Sequence, residues 1–264
     1  MLKNAFHVRY QGVIWMIRPD ESAQHLVTEV RSPENKIAFF SCIRTDSGKP
    51  TFDRFQLQEP WFCGLEAVAH GTAFLHGYLS ETLPEHRGIF AVDLAGGKLL
   101  WEDYNLVFDQ AVQEGVVAWN YKAEPRRYQL IDPRSGRSIR YFRSRTEAMG
   151  DTNLPGTPEM HYPSRVTLDT PLRELLPENV LSEADLLEWK GYRILSCYVL
   201  RNDKEEEKNR PLDHYLLVFD GGGNRIHQDL LAGGILQPAM DTFFVMNDRL
   251  YYIKSKAEIL AYLL

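Results

Sequence analysis

Residues 90–101 read FAVDLAGGKLLW, and residues 128–139 (YQLIDPRSGRSI) and 217–226 (LVFDGGGNRI) repeat the same pattern. Each copy is an apolar strand that ends in Asp, followed by a turn with Gly or Asn and a second strand. An Asp at a strand end accepts hydrogen bonds from the backbone amides that follow, and Gly or Asn adopts the positive φ that the return strand requires. The three copies predict a β-hairpin that is built repeatedly.

The sequence before the first two hairpins is repeated as well. Aligning Gly71 with Gly115 places residues 66–78 over residues 110–122. The repeated unit is then a strand, a Gly turn, a strand, a linker, a strand, an Asp turn and a final strand. Four antiparallel strands that recur about every 40 to 45 residues are typical of a propeller blade. We predict an all-β protein, a single β-propeller domain over residues 1–264 with about five four-stranded blades, and six blades as the alternative.

The two ends of the sequence predict how the ring closes. Residues 13–17 (VIWMI) resemble the strand that ends a blade, yet no partner strands precede them. Residues 242–246, 249–254 and 258–263 supply only three strands of a last blade. We therefore predict that residues 13–17 pair with the C-terminal blade, because such closure removes exposed sheet edges.

Several segments depart from the repeat. Residues 143–163 are rich in Gly, Pro, Ser and Thr and predict a long surface loop, whereas the Leu-rich residues 171–187 predict short helical turns. The charged run 202–210 predicts a solvated hairpin loop. The first blade, residues 25–57, lacks the Asp-x-x-x-Gly turn.

Composition excludes several classes of protein. The net charge of −6 argues against nucleic acid as the main partner, because phosphate binding needs a clustered excess of Lys and Arg. Three widely spaced cysteines, Cys42, Cys63 and Cys197, fit neither a disulfide framework nor a zinc ribbon and predict buried thiols. No leader and no membrane span is recognisable. We predict a cytoplasmic monomer that binds neither nucleic acid nor a membrane.

Residues 90–101 resemble the repeat of the quinoprotein-type, or PQQ-like, β-propellers, in which Ala-x-Asp-x-x-x-Gly precedes a strand that ends in Trp. Residues 128–141 and 214–226 match less completely. Length and layout also resemble an uncharacterised bacterial family that is described only as a domain of unknown function. The resemblance implies a propeller in which Trp101 and the Asp turns are structural. Quinone-dependent members usually have a larger propeller, a calcium site and adjacent cysteines. This sequence has too few blades and no adjacent cysteines, so no cofactor is predicted.

Carboxylates are the first candidates for catalysis. Glu66, Asp109 and Glu114 are expected on or beside inner strands, where five-bladed glycosidases keep their paired carboxylates. Glycoside hydrolysis requires two carboxyl groups that converge on one sugar, one of them with a raised pKa. Three acids of this kind also occur by chance, so the sequence leaves their role open.

Histidines and aromatic residues are the candidates for ligand binding. His70 and His76 lie on successive strands and could share a face with Glu66 as a metal or acid–base cluster. Their spacing matches no familiar metal motif, which favours hydrogen-bonded or exposed histidines and no metal site. Trp119 could serve as an aromatic platform, although such residues more often fill blade cores.

The sequence leaves two candidate functions. The first is a non-catalytic propeller that binds a protein or a small ligand, with residues 143–163 as the first candidate contact. The alternative is a glycan hydrolase with carboxylates in the central funnel. The sequence leaves the question of enzyme activity open and favours the binding module, because propeller folds alone specify no activity.

Overall fold

The computed structural model describes residues 1–201, 210–238 and 243–264. These form two compact units, Tyr10–Pro158 and Met1–Arg9 together with Glu159–Leu264. In the described residues the regular secondary structure of both units is almost entirely β-strand, with two short helices. The prediction of an all-β protein is confirmed. The predicted hairpin loop at residues 202–210 lies, except for Arg210, outside the described residues.

The first strands in chain order are β1 (Lys3–Arg9), β2 (Val13–Pro19), β3 (His25–Ser32), β4 (Ile37–Arg44), β5 (Pro50–Phe55), β6 (Cys63–Ala69), β7 (Thr72–Ser80), β8 (Leu83–Asp93), β9 (Leu99–Asp103), β10 (Leu106–Val112), β11 (Gly115–Asn120), β12 (Tyr128–Ile131) and β13 (Ser138–Phe142). They are followed by α1 (Arg145–Gly150), β14 (Met160–His161), β15 (Ser164–Thr167), α2 (Thr170–Arg173), β16 (Val180–Trp189), β17 (Tyr192–Leu200), β18 (Leu212–Phe219), β19 (Arg225–Ile235), β20 (Phe243–Met246), β21 (Arg249–Lys254) and β22 (Glu258–Leu263).

The unit Tyr10–Pro158 contains three antiparallel sheets of four strands each, β2 to β5, β6 to β9 and β10 to β13. In every sheet, neighbours in space are neighbours in sequence. Apolar side chains join adjacent sheets: Phe40 and Leu75 belong to one buried cluster, and Phe74 and Ala118 to another. Burial of these side chains favours the stacking of one sheet on the next, at about 25 cal/mol per Å² of apolar surface.

The unit formed by Met1–Arg9 and Glu159–Leu264 contains two antiparallel sheets of five strands. One runs in chain order from β15 to β19, and the other has the order β1, β22, β21, β20, β14. Val218, Phe243 and Leu250 lie in the buried cluster that these sheets share. Five antiparallel sheets, four of them built from consecutive strands, are consistent with a propeller-like fold.

The repeated turn has the geometry that the sequence predicts. Gly97 N–H donates to Asp93 O over 2.9 Å, and Gly136 N–H donates to Asp132 O over 3.0 Å. Both glycines have a positive φ, +67° and +71°, which a residue with a Cβ adopts only at a cost. Asp132 Oδ1 also accepts hydrogen bonds from the backbone amides of Arg134 and Ser135.

These glycines also make room for an aromatic side chain of the preceding sheet. A Cβ on Gly136 would lie 2.7 Å from the Trp101 ring, and one on Gly97 would lie 2.6 Å from Phe52. Trp101 Nε1–H donates to Pro133 O over 2.8 Å. The Trp that ends one repeat is therefore seated on the Asp turn of the next repeat.

Two turn predictions were wrong in detail. The first sheet has the same turn, since Gly48 N–H donates to Arg44 O and Gly48 has φ +67°. Arg44 occupies the position that Asp holds in the other copies, so the Asp-x-x-x-Gly pattern does not identify this turn. In the copy at residues 220–224, Gly223 carries the positive φ and donates to Asp220 O, so this turn is one residue tighter than predicted.

The alignment of Gly71 with Gly115 is wrong by one residue. His70 and Gly71 form the two-residue turn between β6 and β7, because Ala69 pairs with Thr72. In the next sheet Val112 pairs with Gly115, so residues 113–114 form the turn and Gly115 begins a strand. The glycines therefore occupy different positions of the repeat.

The strand that joins the C-terminal sheet is not residues 13–17. Those residues lie in β2, which pairs with β3 in the first sheet. The N-terminal partner is β1, whose residues Lys3–Arg9 pair with β22. The sequence KNAFHVR of β1 alternates polar and apolar residues only weakly, whereas VIWMI is strongly apolar. The sequence pattern therefore favours the apolar segment as the N-terminal strand of the last sheet.

Trp15 of β2 is 65% exposed and packs on Arg31 rather than on another sheet. The Arg31 guanidinium lies between the rings of Trp15 and Trp61, 5.4 and 5.1 Å from their centroids. Its Nε–H donates to buried Glu29 over 2.6 Å, and the other Glu29 oxygen accepts the backbone N–H of Leu65. This ion pair joins the first two sheets.

Both insertions contain more regular structure than predicted. Residues 143–163 include α1, capped by the Ser144 side chain, and β14, which pairs with β20. In residues 171–187 the helix α2 ends at Arg173, and residues 180–187 belong to β16. All three cysteines are buried free thiols, as predicted. No helix of the described residues is long and apolar enough to cross a membrane.

Candidate functional site

A β-bulge occurs in the first strand of each sheet of Tyr10–Pro158. The residue left without a partner on the second strand is Trp15 in β2, Glu66 in β6 and Asp109 in β10. A bulge changes the direction of a side chain and is frequent beside functional sites. Two of the three carboxylates singled out in the sequence therefore occupy equivalent positions in adjacent sheets.

Glu66 lies against two histidines of its own sheet. Oε2 of Glu66 accepts a hydrogen bond from His86 Nδ1 over 2.7 Å and lies 2.8 Å from His76 Nδ1. The two imidazole rings are stacked, with centroids 3.5 Å apart and planes 10° from parallel. Tyr78, which pairs with His86 across the strands, contacts both rings edge on.

The cluster ranges from buried to accessible. The side chain of His76 is 6% exposed, that of Glu66 22% and that of His86 39%. Burial raises the pKa of Glu66, but the adjacent imidazoles of His76 and His86 outweigh burial and lower this pKa to about 2. Glu66 is consequently a carboxylate at neutral pH.

His76 is buried without a hydrogen-bond partner. Its Nδ1 approaches Glu66 Oε2 in a direction that makes no hydrogen bond, and neither ring nitrogen has another partner among the residues described. The ring fits because Gly64 lies opposite it on β6, where a Cβ would come within 2.8 Å of Nε2. Buried polar atoms without partners are rare and call for an explanation.

A groove of about 440 Å³ lies beside this cluster, within the unit Tyr10–Pro158. His86 contributes to its wall, so the groove and the cluster share one residue. Apolar contact surface is supplied by Trp119 and Tyr121, and charged groups by four side chains, Glu85, Arg87, Glu124 and Arg126.

The two arginines of the groove lie on its two aromatic rings. The Arg126 guanidinium carbon is 4.1 Å from the Trp119 ring centroid, and that of Arg87 is 4.2 Å from the centroid of Tyr121. Arg87 Nε–H also donates to Tyr104 O over 3.1 Å. In the described part of the chain neither arginine has a carboxylate within 4.0 Å.

The remaining predicted site residues lie elsewhere. His70 occupies the β6–β7 turn, where its Nε2–H donates to Val112 O over 2.8 Å. Both oxygens of Asp109 accept from Arg145 Nε–H, at 3.0 and 3.1 Å. Glu114 is exposed in the β10–β11 turn. The structure thus unites Glu66 with His76. His70, which strand alternation placed on the side of Glu66, lies in the turn instead, and Asp109 and Glu114 have other surroundings.

Sequence reasoning missed the groove residues His86, Arg87 and Arg126. His86 and Arg87 lie in the polar beginning of β8, where the sequence PEHRG shows no strand pattern. Arg126 follows β11 in a loop, and only its nearness to Trp119 gives it significance. The pairing of His86 with Tyr78 across the strands would identify His86 as a member of the cluster, but the sequence alone does not give this register.

A second polar contact of a histidine, between Ser196 and His214, lies in the sheet β15 to β19. Ser196 Oγ and His214 Nε2 are 2.7 Å apart, and both residues are almost completely inaccessible to solvent. The Tyr198 ring is stacked on His214. Burial lowers the pKa of His214 to about 4, against a smaller opposing effect of Asp185. No substrate reaches this pair, so it is part of the core.

The fold and site define an all-β, propeller-like protein with a charged groove beside a His–Glu cluster. Residues 19–101 match the model of a family described as a domain of unknown function, DUF4905. The matched segment contains β3 to β8, including all three residues of the cluster. It agrees with the resemblance to such a family noted in the sequence. No curated protein matches the chain.

Two solved structures align with this chain at low similarity in both sequence and structure. BamB from Moraxella catarrhalis is 11% identical, with a TM-score of 0.32, and the alignment covers 100% of both chains. Hydrazine synthase from Kuenenia stuttgartiensis is also 11% identical, with a TM-score of 0.31, over 89% of this chain and 62% of the other. Neither likeness transfers an activity or a partner to this chain.

Proposed function

We propose that this protein is a non-catalytic binding module of the β-propeller class, in which the five sheets are five blades. Three observations on single sheets support the blades: consecutive antiparallel strands, the recurring Gly turn, and the pairing of β1 with β22. The ligand is a small polyhydroxylated organic anion, a sugar acid or a sugar phosphate, bound in the groove beside Trp119.

The pair of arginines in the groove carries the proposal. Guanidinium groups form bidentate hydrogen bonds with carboxylates and phosphates, and stacking on an aromatic ring holds them in place. Arg126 and Arg87 are both stacked, and no carboxylate of the described residues neutralises them. Two available guanidinium groups in one groove favour an anionic ligand, notably in a protein with a net charge of −6.

The other groove residues indicate what else the ligand contains. Glu85 and Glu124 are exposed carboxylates that accept hydrogen bonds, which hydroxyl groups donate. The rings of Trp119 and Tyr121 offer apolar surface to a ring of carbon atoms. The groove volume of about 440 Å³ lies within the range of about 300 to 1,000 Å³ that small-molecule sites occupy.

The hydrolase alternative receives no support from the residues that suggested it. Glu66 is held by two imidazoles, and Asp109 is paired with Arg145. Glu114 lies in a turn and is exposed. A glycosidase requires two carboxyl groups on either side of one glycosidic bond.

Calorimetric titration tests the proposal with glucuronate, glucose 6-phosphate and glucose as probes. We expect binding of one or both anions and at least about tenfold weaker binding of glucose, because a charge-assisted hydrogen bond contributes about 1.5 to 3 kcal/mol. A preference for glucuronate identifies a carboxylate ligand, and a preference for glucose 6-phosphate identifies a phosphate.

The matched variants are Arg126→Gln and Arg127→Gln. Arg127 is the exposed neighbour of Arg126 and is not part of the groove wall. We expect Arg126→Gln to weaken binding of the anion about tenfold or more and Arg127→Gln to leave it within twofold. Equal effects of the two variants, or no binding of either anion by the folded protein, contradict the proposal.

A further inference from the structure

We infer that Glu66, His76 and His86 form a binding site for one divalent transition-metal ion of the zinc type. This inference concerns the cluster itself and does not depend on the anion proposed for the groove. The three side chains bring two imidazole nitrogens and one carboxylate oxygen within 4.8 Å of one another.

The donor set is that of a zinc site. Two histidines and a carboxylate are a common set of three protein ligands for Zn²⁺, and they leave a fourth position for water or substrate. Imidazole nitrogen also suits Cu²⁺ and Ni²⁺, whereas Mg²⁺ and Ca²⁺ favour oxygen ligands alone.

His76 provides the second, independent observation. Its side chain is 94% buried, and its Nδ1 points toward Glu66 Oε2 without forming a hydrogen bond. A buried polar atom that lacks a partner costs about 1 to 3 kcal/mol. A metal ion between His76 Nδ1 and the Glu66 carboxylate gives this nitrogen a partner in place of the 2.8 Å contact that makes no hydrogen bond.

Small movements convert the observed geometry into a coordination site. The two Nδ1 atoms lie 2.8 and 2.7 Å from Oε2. Ligand atoms of a tetrahedral zinc site are about 3.3 Å apart when each is about 2.05 Å from the ion. The distances must therefore increase by about half an ångström, and the stacked rings must tilt until both nitrogens face one point.

His86 is the residue that has room to tilt. Its side chain is 39% exposed at the groove, whereas His76 is enclosed beside Gly64. Tilting ends the parallel stacking of the two imidazoles and alters the edge contact between Tyr78 and His86. Metal binding should therefore change the nuclear magnetic resonance signals of Tyr78, a readout that involves no activity.

Other His–carboxylate contacts of the described residues offer fewer ligands. His7 with Glu258, His25 with Asp20 and His161 with Glu159 each contain one imidazole and one carboxylate. Among the residues described, the Glu66 cluster is the group in which three such ligands meet. Its sequence spacing, Glu-x₉-His-x₉-His, belongs to no familiar motif, which explains why the sequence predicts no metal site.

The experiment is a calorimetric titration of ZnCl₂ into tag-free full-length protein that has been treated with a chelator and dialysed. Co²⁺ absorption in the visible range gives the coordination geometry as a second readout. We expect one Zn²⁺ per chain. His86→Gln and Glu66→Gln should each weaken binding at least about 100-fold, because loss of residues that merely orient a ligand already weakens metal binding 10- to 100-fold.

His70→Gln is the matched control, since His70 lies on the same hairpin and donates to Val112 O. It should leave Zn²⁺ affinity unchanged, and Arg126→Gln should do the same. His86→Gln alters an accessible side chain, so its folding is checked by circular dichroism before titration. Wild-type affinity in His86→Gln, or a folded wild-type protein that binds no Zn²⁺, overturns the inference.

Discussion

The variant Gly136→Ala tests how Trp101 of one repeat packs on the Asp turn of the next repeat. Gly136 combines a left-handed backbone, φ +71°, with close approach of the Trp101 ring. An added Cβ would lie 2.7, 2.8 and 3.0 Å from three ring carbons, closer than van der Waals contact allows. Trp101 has little freedom to move aside, because its Nε1–H is bound to Pro133 O.

The expected loss of stability has two parts. A left-handed conformation of Ala costs about 1 to 2 kcal/mol. Overpacking against the Trp101 ring costs about 1 to 3 kcal/mol more. Together they predict a decrease of about 2 to 5 kcal/mol in the free energy of unfolding, which is a large fraction of the about 5 to 15 kcal/mol of a typical domain.

Urea titrations of three variants separate the two parts. Gly223→Ala has φ +79° and no atom within 4 Å of the new Cβ, so it measures the backbone cost alone. Gly96→Ala meets no neighbouring atom and has no positive φ, so its effect should stay within about 0.5 kcal/mol. If Gly136→Ala proves no more destabilising than Gly223→Ala, the close packing of Trp101 on the turn is refuted.

Three further predictions follow from the fold. The pKa of His214, lowered by burial to about 4, predicts that stability present above pH 6.5 is lost as pH falls toward 4, by up to about 3 kcal/mol, and that urea titrations of His214→Gln show a smaller loss. Arg31→Met leaves buried Glu29 without its cation and should cost about 3 to 5 kcal/mol in the same assay, whereas Arg44→Met, at an exposed pair, should cost under about 1 kcal/mol. Deleting residues 2–9 exposes an edge of β22 and should cause aggregation in light scattering, whereas deleting residues 2 and 3 should not.

The repeated hairpin was predictable because its determinants are local. Asp132 and Gly136 specify the turn through their own conformations, so three copies of the pattern reveal the all-β class and the order of strands. The turn at residues 44–48 escaped because backbone hydrogen bonds form it without an Asp. The pairing of β1 with β22 escaped because it joins residues at opposite ends of the sequence, such as Lys3 and Leu263, and the sequence pattern reports only the neighbours of a strand.

The candidate site was less predictable than the fold. Glu66 and His76 were singled out as residues of successive strands, but the alternation that placed His70 on the side of Glu66 was wrong, because His70 lies in the β6–β7 turn. The bulge at Glu66 changes that alternation, and His86 enters the cluster through the register of β7 and β8. Arg126 reaches Trp119 from a loop whose course no local pattern specifies. Sites built on register and loops depend on tertiary structure.

The binding groove is the central claim, and a crystal structure of the protein grown with glucuronate or glucose 6-phosphate tests it most directly. We predict electron density for the sugar beside Trp119 and Tyr121, with its acidic group hydrogen-bonded to Arg87 and Arg126. Density for the anion at another surface, with these arginines still lying bare on their aromatic rings, would contradict the account.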